Sequence, residues 1–342
     1  MPGPKLLAIL DNQGIDGDDA LFRLAQARLA EAGLGGELYP GDPEQLRRRL
    51  AYRPAGLPCT VHLPRNLNLL EPAARARVRD FAAAAAGTDG MIVHDHLLFG
   101  ERPDEAAAAF RDMDRLLAEV AGAPMLFVEY AAGLDPARFA ELFERTAPLP
   151  RVSVCVDISH VAIRVCQIEY ARTHPNMDVC SLKHASDLPA RLDGILAAAA
   201  AARAAAVELV GRLSQLGRPM HIHLHDGHPL STLSRWGVSD HLGFTQQIRI
   251  PAERRGRRTV DGIFGPAGLR EVIAAARSGP GGAERLSLML EIHPQEGRTP
   301  LGPHAHLFHH WNDRTNAERM NHWLDALAAN AVLLRDALAA AG

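Results

Sequence analysis

The sequence predicts a (β/α)8 barrel, an α/β fold, on three observations. Eight short runs rich in Val, Ile and Leu alternate with stretches of helical period, six of those runs carry a His, Asp or Glu at or near their last residue, and the chain has 342 residues. Barrels of this kind take about 250 residues and grow by insertion. At 47% hydrophobic, 23% charged and net charge −3 at pH 7, the chain has the apolar content for a large core and lacks the charge imbalance of a disordered one.

The runs and helices are laid out in order. Leu6–Leu10 precedes a helical stretch at Asp19–Ala32, Glu37–Tyr39 precedes Pro43–Ala51, Cys59–His62 precedes Pro72–Ala86, and Met91–His94 precedes Pro103–Ala121. Met125–Glu129 is followed by Pro136–Thr146, Val152–Asp157 by Pro189–Leu216, Met220–His225 by Pro266–Ala276, and Leu286–Glu291 by Asn316–Ala340. Several helices open on proline, which suits a first turn because its missing N–H has no intrahelical partner there. The last helix carries Met320, Leu324, Leu327, Ala331, Leu334 and Leu338 at three- and four-residue spacing, a stripe for docking on a sheet.

Surplus length falls in two places. Asp157 and His223 are 66 residues apart and His223 and Glu291 are 68, against 28 to 35 for the three intervals from His62 to Asp157. Segments 161–186 and 228–262 are therefore expected to be elaborated loops over the barrel mouth. No linker divides the chain, so a single domain over residues 1–342, last helix included, is expected.

Charge and cysteine content narrow the function classes. Lys5 and Lys183 are the only lysines and the pI is near 6.6, so charge does not argue for nucleic acid as the partner, and a small-molecule substrate is the expectation. Cys59, Cys155, Cys166 and Cys180 show no CxxC spacing, which reads as a reduced, cytoplasmic setting. The N-terminal apolar run is too short for a signal sequence, and the Ala-rich stretch Leu192–Val210 is broken by Arg203 and Glu208, so no membrane span is expected.

His62, His94, Glu129, Asp157, His223 and Glu291 end six different predicted strands, where barrel enzymes place their active sites. A polar group carried into the apolar end of a strand costs several kcal/mol unless it is paired or ligated. One such residue is ordinarily a cap or a core hydrogen-bonding group. Six converging from six strands point instead to a shared metal site, and imidazole plus carboxylate without thiolate suits Zn, Mn, Co or Fe.

These residues resemble those of the xylose-isomerase-like TIM barrels, which include the AP-endonuclease family 2 (endonuclease IV) enzymes and many sugar isomerases and epimerases. HLPRNLNLL from His62 is similar to the endonuclease IV pattern of a His ligand followed by Asn-Leu, with Arg65 where Tyr is usual. CVDISH matches its Cys-x-Asp-x-x-His pattern at Asp157 and His160. IHLHD resembles its His-x-Asn-Asp strand, with His223 as ligand and His225 in the Asn place, while VEY and LEIHP resemble the strand-ending glutamates at Glu129 and Glu291. His62 and His94 resemble ligands of a second metal in the endonuclease branch. The third metal of that branch uses an Asp-x-His pair, whereas GVSDHLGF offers Asp240 and His241 adjacent, with Ser239 in the Asp place. The resemblance thus implies one to three divalent ions per chain, with His62, His94, Glu129, Asp157, His160, His223, His241 and Glu291 as the ligand set.

Two mechanisms follow, isomerase chemistry as the expectation and phosphoester hydrolysis as its alternative. In the isomerase or epimerase reading, which also covers lyases, one ion held by Glu129, Asp157, His223 and Glu291 polarises a substrate carbonyl or hydroxyl on a polyhydroxylated molecule; Glu129 and Glu291 move a proton, and His160 holds a substrate oxygen. In the hydrolase reading His62, His94 and a bridging Glu129 add a second ion, and water attacks a phosphoester. Arg65 and the cluster Arg254, Arg255, Arg257 and Arg258 are then candidate anion binders. His225, Asp240 and His293 are further candidates for substrate contact. His221 shares a strand face with His223 and His225. The tail after Glu291 holds His293, Glu296, His304, His306, His309, His310 and Trp311, placed to fold over the mouth, and Asp11, Asn12 and Gln13 end the first strand.

Overall fold

The structure, a computed structural model, describes every residue outside 1–2, 11–18, 132, 147–148, 178, 180–181, 183–186, 232, 235–236, 239–240, 246–249, 254–256, 294, 298–307, 311–316 and 342. Eight parallel strands close into a barrel: Lys5–Ile9, Gly35–Leu38, Cys59–His62, Gly90–His94, Met125–Glu129, Val152–Asp157, Met220–Leu224 and Leu286–Leu290. They run round the barrel in sequence order, and the first closes on the eighth with Lys5 opposite Ser287 and Ala8 opposite Leu290. Each lies within two residues of its predicted bounds. Helices cover the outside and side chains fill the inside, so residues such as those of Val152–Asp157 are buried on both faces. Gly35 is set by close approach, because a Cβ there would lie 1.9 Å from the Pro58 carbonyl oxygen.

Five helices carry proline in the first turn: Pro43–Leu50, Pro72–Ala84, Pro103–Ala118, Pro136–Arg145 and Gly265–Arg277. Asp42 and Asp135 cap two of them by accepting from backbone N–H groups of the first turn. The helix Leu192–Ser214 is long and apolar enough to cross a membrane by length and composition, yet it packs in the outer ring against its neighbours on either side. Its buried positions, among them Ile195, Ala198, Ala202, Ala206, Leu209 and Leu213, recur every three or four residues. Arg203 pairs with Glu271 and Arg212 with Glu144, tying its polar face to the neighbouring helices.

One sequence expectation is corrected. Segment 161–186 does not begin as a loop: Ile158–Thr173 is a helix starting directly at the end of the sixth strand. Ile158 through Ile163 are all buried, so the helix enters the core on every side, and only past them does burial narrow to one face at Cys166 and Tyr170. The other long segments carry added structure. Leu233–Ser234 pairs with Gly237–Val238, and Ile250–Glu253 with Arg257–Val260, so Arg257 and Arg258 lie on a hairpin strand. After the eighth strand, Gln295–Gly297 pairs antiparallel with Phe308–His310, which places Glu296, His309 and His310 in a second ribbon. Asp11, Asn12, Gln13, Ser239, Asp240, Arg254, Arg255, His304, His306 and Trp311 lie outside the described residues. Cys59, Cys155 and Cys166 are buried and free.

Candidate metal centre

The barrel brings the strand-end side chains to one place. Glu129, ending the fifth strand, is buried and uses its two oxygens on different neighbours. Its Oε2 lies 2.9 Å from His62 Nε2 and 3.4 Å from His94 Nε2, while its Oε1 lies 3.3 Å from His223 Nδ1 and 3.9 Å from His160 Nδ1. Glu291, just past the eighth strand, places Oε2 3.0 Å from His223 Nδ1 and Oε1 3.6 Å from His241 Nε2.

Asp157 does two jobs at the end of the sixth strand. Its Oδ1 accepts from the backbone N–H of Ser159 at 3.0 Å and of His160 at 2.9 Å, which caps the helix Ile158–Thr173. The cap turns His160 inward, so its Nδ1 stands 3.2 Å from Asp157 Oδ2. His225 Nε2 is 3.0 Å from the same carboxylate. The rings of His225, His241 and His293 form a stacked column, with centroids 4.1 and 3.9 Å apart.

Donor atoms therefore gather in sets that share carboxylates. His62, His94 and Glu129 form one; Glu129, Asp157, His223 and Glu291 a second; Asp157, His160, His225 and His241 a third; His241, Glu291 and His293 a fourth. Each set holds its candidate ligand atoms within 4.8 Å of one another. His225 stands with Asp157, His160 and His241 in the third set.

The hydrogen bonding of the imidazoles suits cations. A backbone carbonyl can only accept, so His62 Nδ1 carries its proton toward the Leu63 carbonyl at 2.9 Å, and His225 Nδ1 does so toward the Asp226 carbonyl at 3.3 Å. The inner nitrogen of each ring is left facing a carboxylate, an arrangement satisfied by a cation between them or by a second proton. His160 Nε2 and His241 Nδ1 are buried with no hydrogen-bond partner, so the residues present fit a bound metal.

Electrostatics divide the rings: despite burial, the surrounding carboxylates raise His223 well above the usual imidazole range and His225 to about 9, so without a cation these two hold a second proton, while two others are lowered. Burial lowers the His94 ring to about 3 against the pull of Glu129, and burial together with the neighbouring imidazoles of His293, His225 and His160 holds His241 well below the usual imidazole range. These rings are neutral and their lone pairs open to a metal. Burial opposes ionisation of Glu129 and Glu291, but the imidazoles outweigh it, chiefly His223 and His94 at Glu129 and His223 at Glu291. Glu129 is held well below the carboxylate range and Glu291 at about 2.

Every predicted ligand is in the cluster: His62, His94, Glu129, Asp157, His160, His223, His241 and Glu291. Of the predicted substrate contacts, His225 and His293 stand among the donors, and Arg65 is exposed, its charge felt at His94 and His241. Two residues of the site were not foreseen. Glu37, inside the second strand, and Tyr39, just beyond it, reach the centre from that strand: the Tyr39 hydroxyl lies 3.1 Å from both Glu37 Oε1 and Glu291 Oε1, and its ring stacks on His62 at 4.6 Å. A carboxylate within an apolar strand, as in GGELYP, was the available signal.

No family model matches the sequence, and no curated protein matches it. Among solved structures the chain is similar to a variant of pyruvate carboxylase from Rhizobium etli crystallized without acetyl coenzyme A, at 14% identity and a TM-score of 0.39, over 99% of this chain and 30% of that one. The chain thus spans under a third of that protein's length. The barrel assignment rests on the closed ring of eight strands and not on this likeness.

Proposed function

We propose that the chain is a multinuclear, divalent-metal-dependent hydrolase of the xylose-isomerase-like barrel group, acting on a small phosphoester. The observation that carries this reading is Glu129, whose two oxygens serve different donor sets, His62 and His94 on one side and His223 on the other. A carboxylate in that position would serve two ions and is poorly placed to act as a free base. Paired Zn, Mn, Co or Fe ions would supply an acidified water and neutralise charge on a phosphoryl group. His62, His94 and Glu129 would hold one ion, and Glu129, Asp157, His223 and Glu291 the other. Arg65, at the exposed rim, takes the anionic end of the substrate.

The isomerase or epimerase reading is supported by the second donor set alone, since Glu129, Asp157, His223 and Glu291 would suffice for one ion that polarises a carbonyl. Metal analysis with an activity panel separates the two. Two or more ions per chain with metal-dependent turnover of an aryl phosphodiester supports hydrolysis. One ion with metal-dependent incorporation of solvent deuterium into a sugar or keto acid supports isomerisation instead, and a chain that retains no metal overturns both.

A further inference from the structure

Beneath the donor cluster lies a second polar layer in the barrel interior that neither mechanism uses. Glu37 is fully buried there, and every neighbour of its carboxylate is able to donate. Oε2 accepts from Thr60 Oγ1 at 2.7 Å and stands 3.0 Å from His221 Nε2. Oε1 accepts from the Tyr39 hydroxyl at 3.1 Å and stands 3.2 Å from His223 Nε2. His221 is anchored in turn, its Nδ1 lying 2.9 Å from Ser287 Oγ on the eighth strand.

A carboxylate in this place constrains two members of the cluster above it. Carboxylates stand at both ring nitrogens of His223, Glu37 at Nε2 and Glu291 with Glu129 at Nδ1; a metal among the upper carboxylates would take Nδ1, and Glu37, which only accepts, would then keep the proton on Nε2. In that form the lone pair is on Nδ1, aimed at the cation that would sit between it and Glu291 Oε2 at 3.0 Å and Glu129 Oε1 at 3.3 Å. Tyr39 carries the restraint further, because its single hydroxyl lies between Glu37 and Glu291 while its ring packs on His62.

We infer that Glu37 is a positioning residue that selects His223 Nδ1 as the metal-binding nitrogen, with His221, Ser287 and Thr60 holding Glu37 in register and Tyr39 relaying its position to Glu291. The inference rests on the metal-centre reading above. Outer partners of metal-bound histidines commonly set the ring form and orientation, and their loss lowers metal affinity about 10- to 100-fold.

The test is a long-range proton–nitrogen correlation spectrum of zinc-loaded, histidine-labelled protein, with the His223 signals assigned by loss in His223→Gln, paired with zinc affinities from chelator competition. The expected result is His223 ligated through Nδ1 with a protonated Nε2. Glu37→Gln, which keeps the shape and places an amide against the rings, is expected to lower zinc affinity about 10- to 100-fold; Tyr39→Phe is expected to lower it less. Ligation through Nε2, or wild-type affinity in Glu37→Gln, overturns the inference. Zinc uptake failing in the wild-type protein overturns the metal-centre reading itself. The wild-type spectrum decides the matter even where Glu37→Gln does not fold.

Discussion

At Glu129, charge and geometry are inseparable: the side chain is buried among imidazoles and its oxygens face two donor sets. Glu129→Gln keeps the volume and removes the anion. It is expected to abolish metal retention and turnover together, checked by elemental analysis and by the phosphodiester assay on the same preparation. His225 gives a pH signature. Burial lowers its ring pKa, but the adjacent Asp157 more than reverses this and lifts it from 6.5 to about 9. A group raised on folding contributes fully below its unfolded pKa and loses that contribution as pH rises through the folded one. Metal-stripped protein should therefore lose about 3 kcal/mol of stability from this group between pH 6.5 and 9, and His225→Gln should flatten the profile in a melting series. Apart from His223, which shares its strand with His221, the strand-end ligands were legible because each closes an apolar run. Glu37 and Tyr39 were not, because one lies within its strand and the other past its end, so neither holds the terminal position that marked the rest.

Among the elements, the strands were readable almost residue by residue, since runs buried on both faces are apolar throughout. The helix Ile158–Thr173 was hidden by the same physics: burial on all sides of its first two turns erases the periodicity by which helices are recognised. Its start is nonetheless written in the sequence, as an Asp whose side chain accepts from the second and third residues after it. At the second strand, Gly35→Ala forces a Cβ against backbone that cannot rotate away, and the expected cost is about 3 kcal/mol, read as a lowered denaturation midpoint with metal content per folded chain unchanged.

Over the whole molecule, Glu37, Glu129, Asp157 and Glu291 gather buried negative charge inside one barrel. Ions binding the native state alone would add about 4 kcal/mol at a free concentration a thousand times their dissociation constant. Chelation should accordingly lower the thermal midpoint, and readdition of metal should restore it, followed by calorimetry; an unchanged midpoint would argue against ions at the centre. Closure of the ring by its first and eighth strands also governs how the chain is made. Until Leu286–Leu290 leaves the ribosome, the nascent sheet has seven strands and two open edges, Lys5–Ile9 and Met220–Leu224. Open parallel edges invite pairing with other chains. Translation of the segment between the seventh and eighth strands is thus the interval in which this protein is most exposed to misassembly, and the one in which a chaperone that shields strand edges would act.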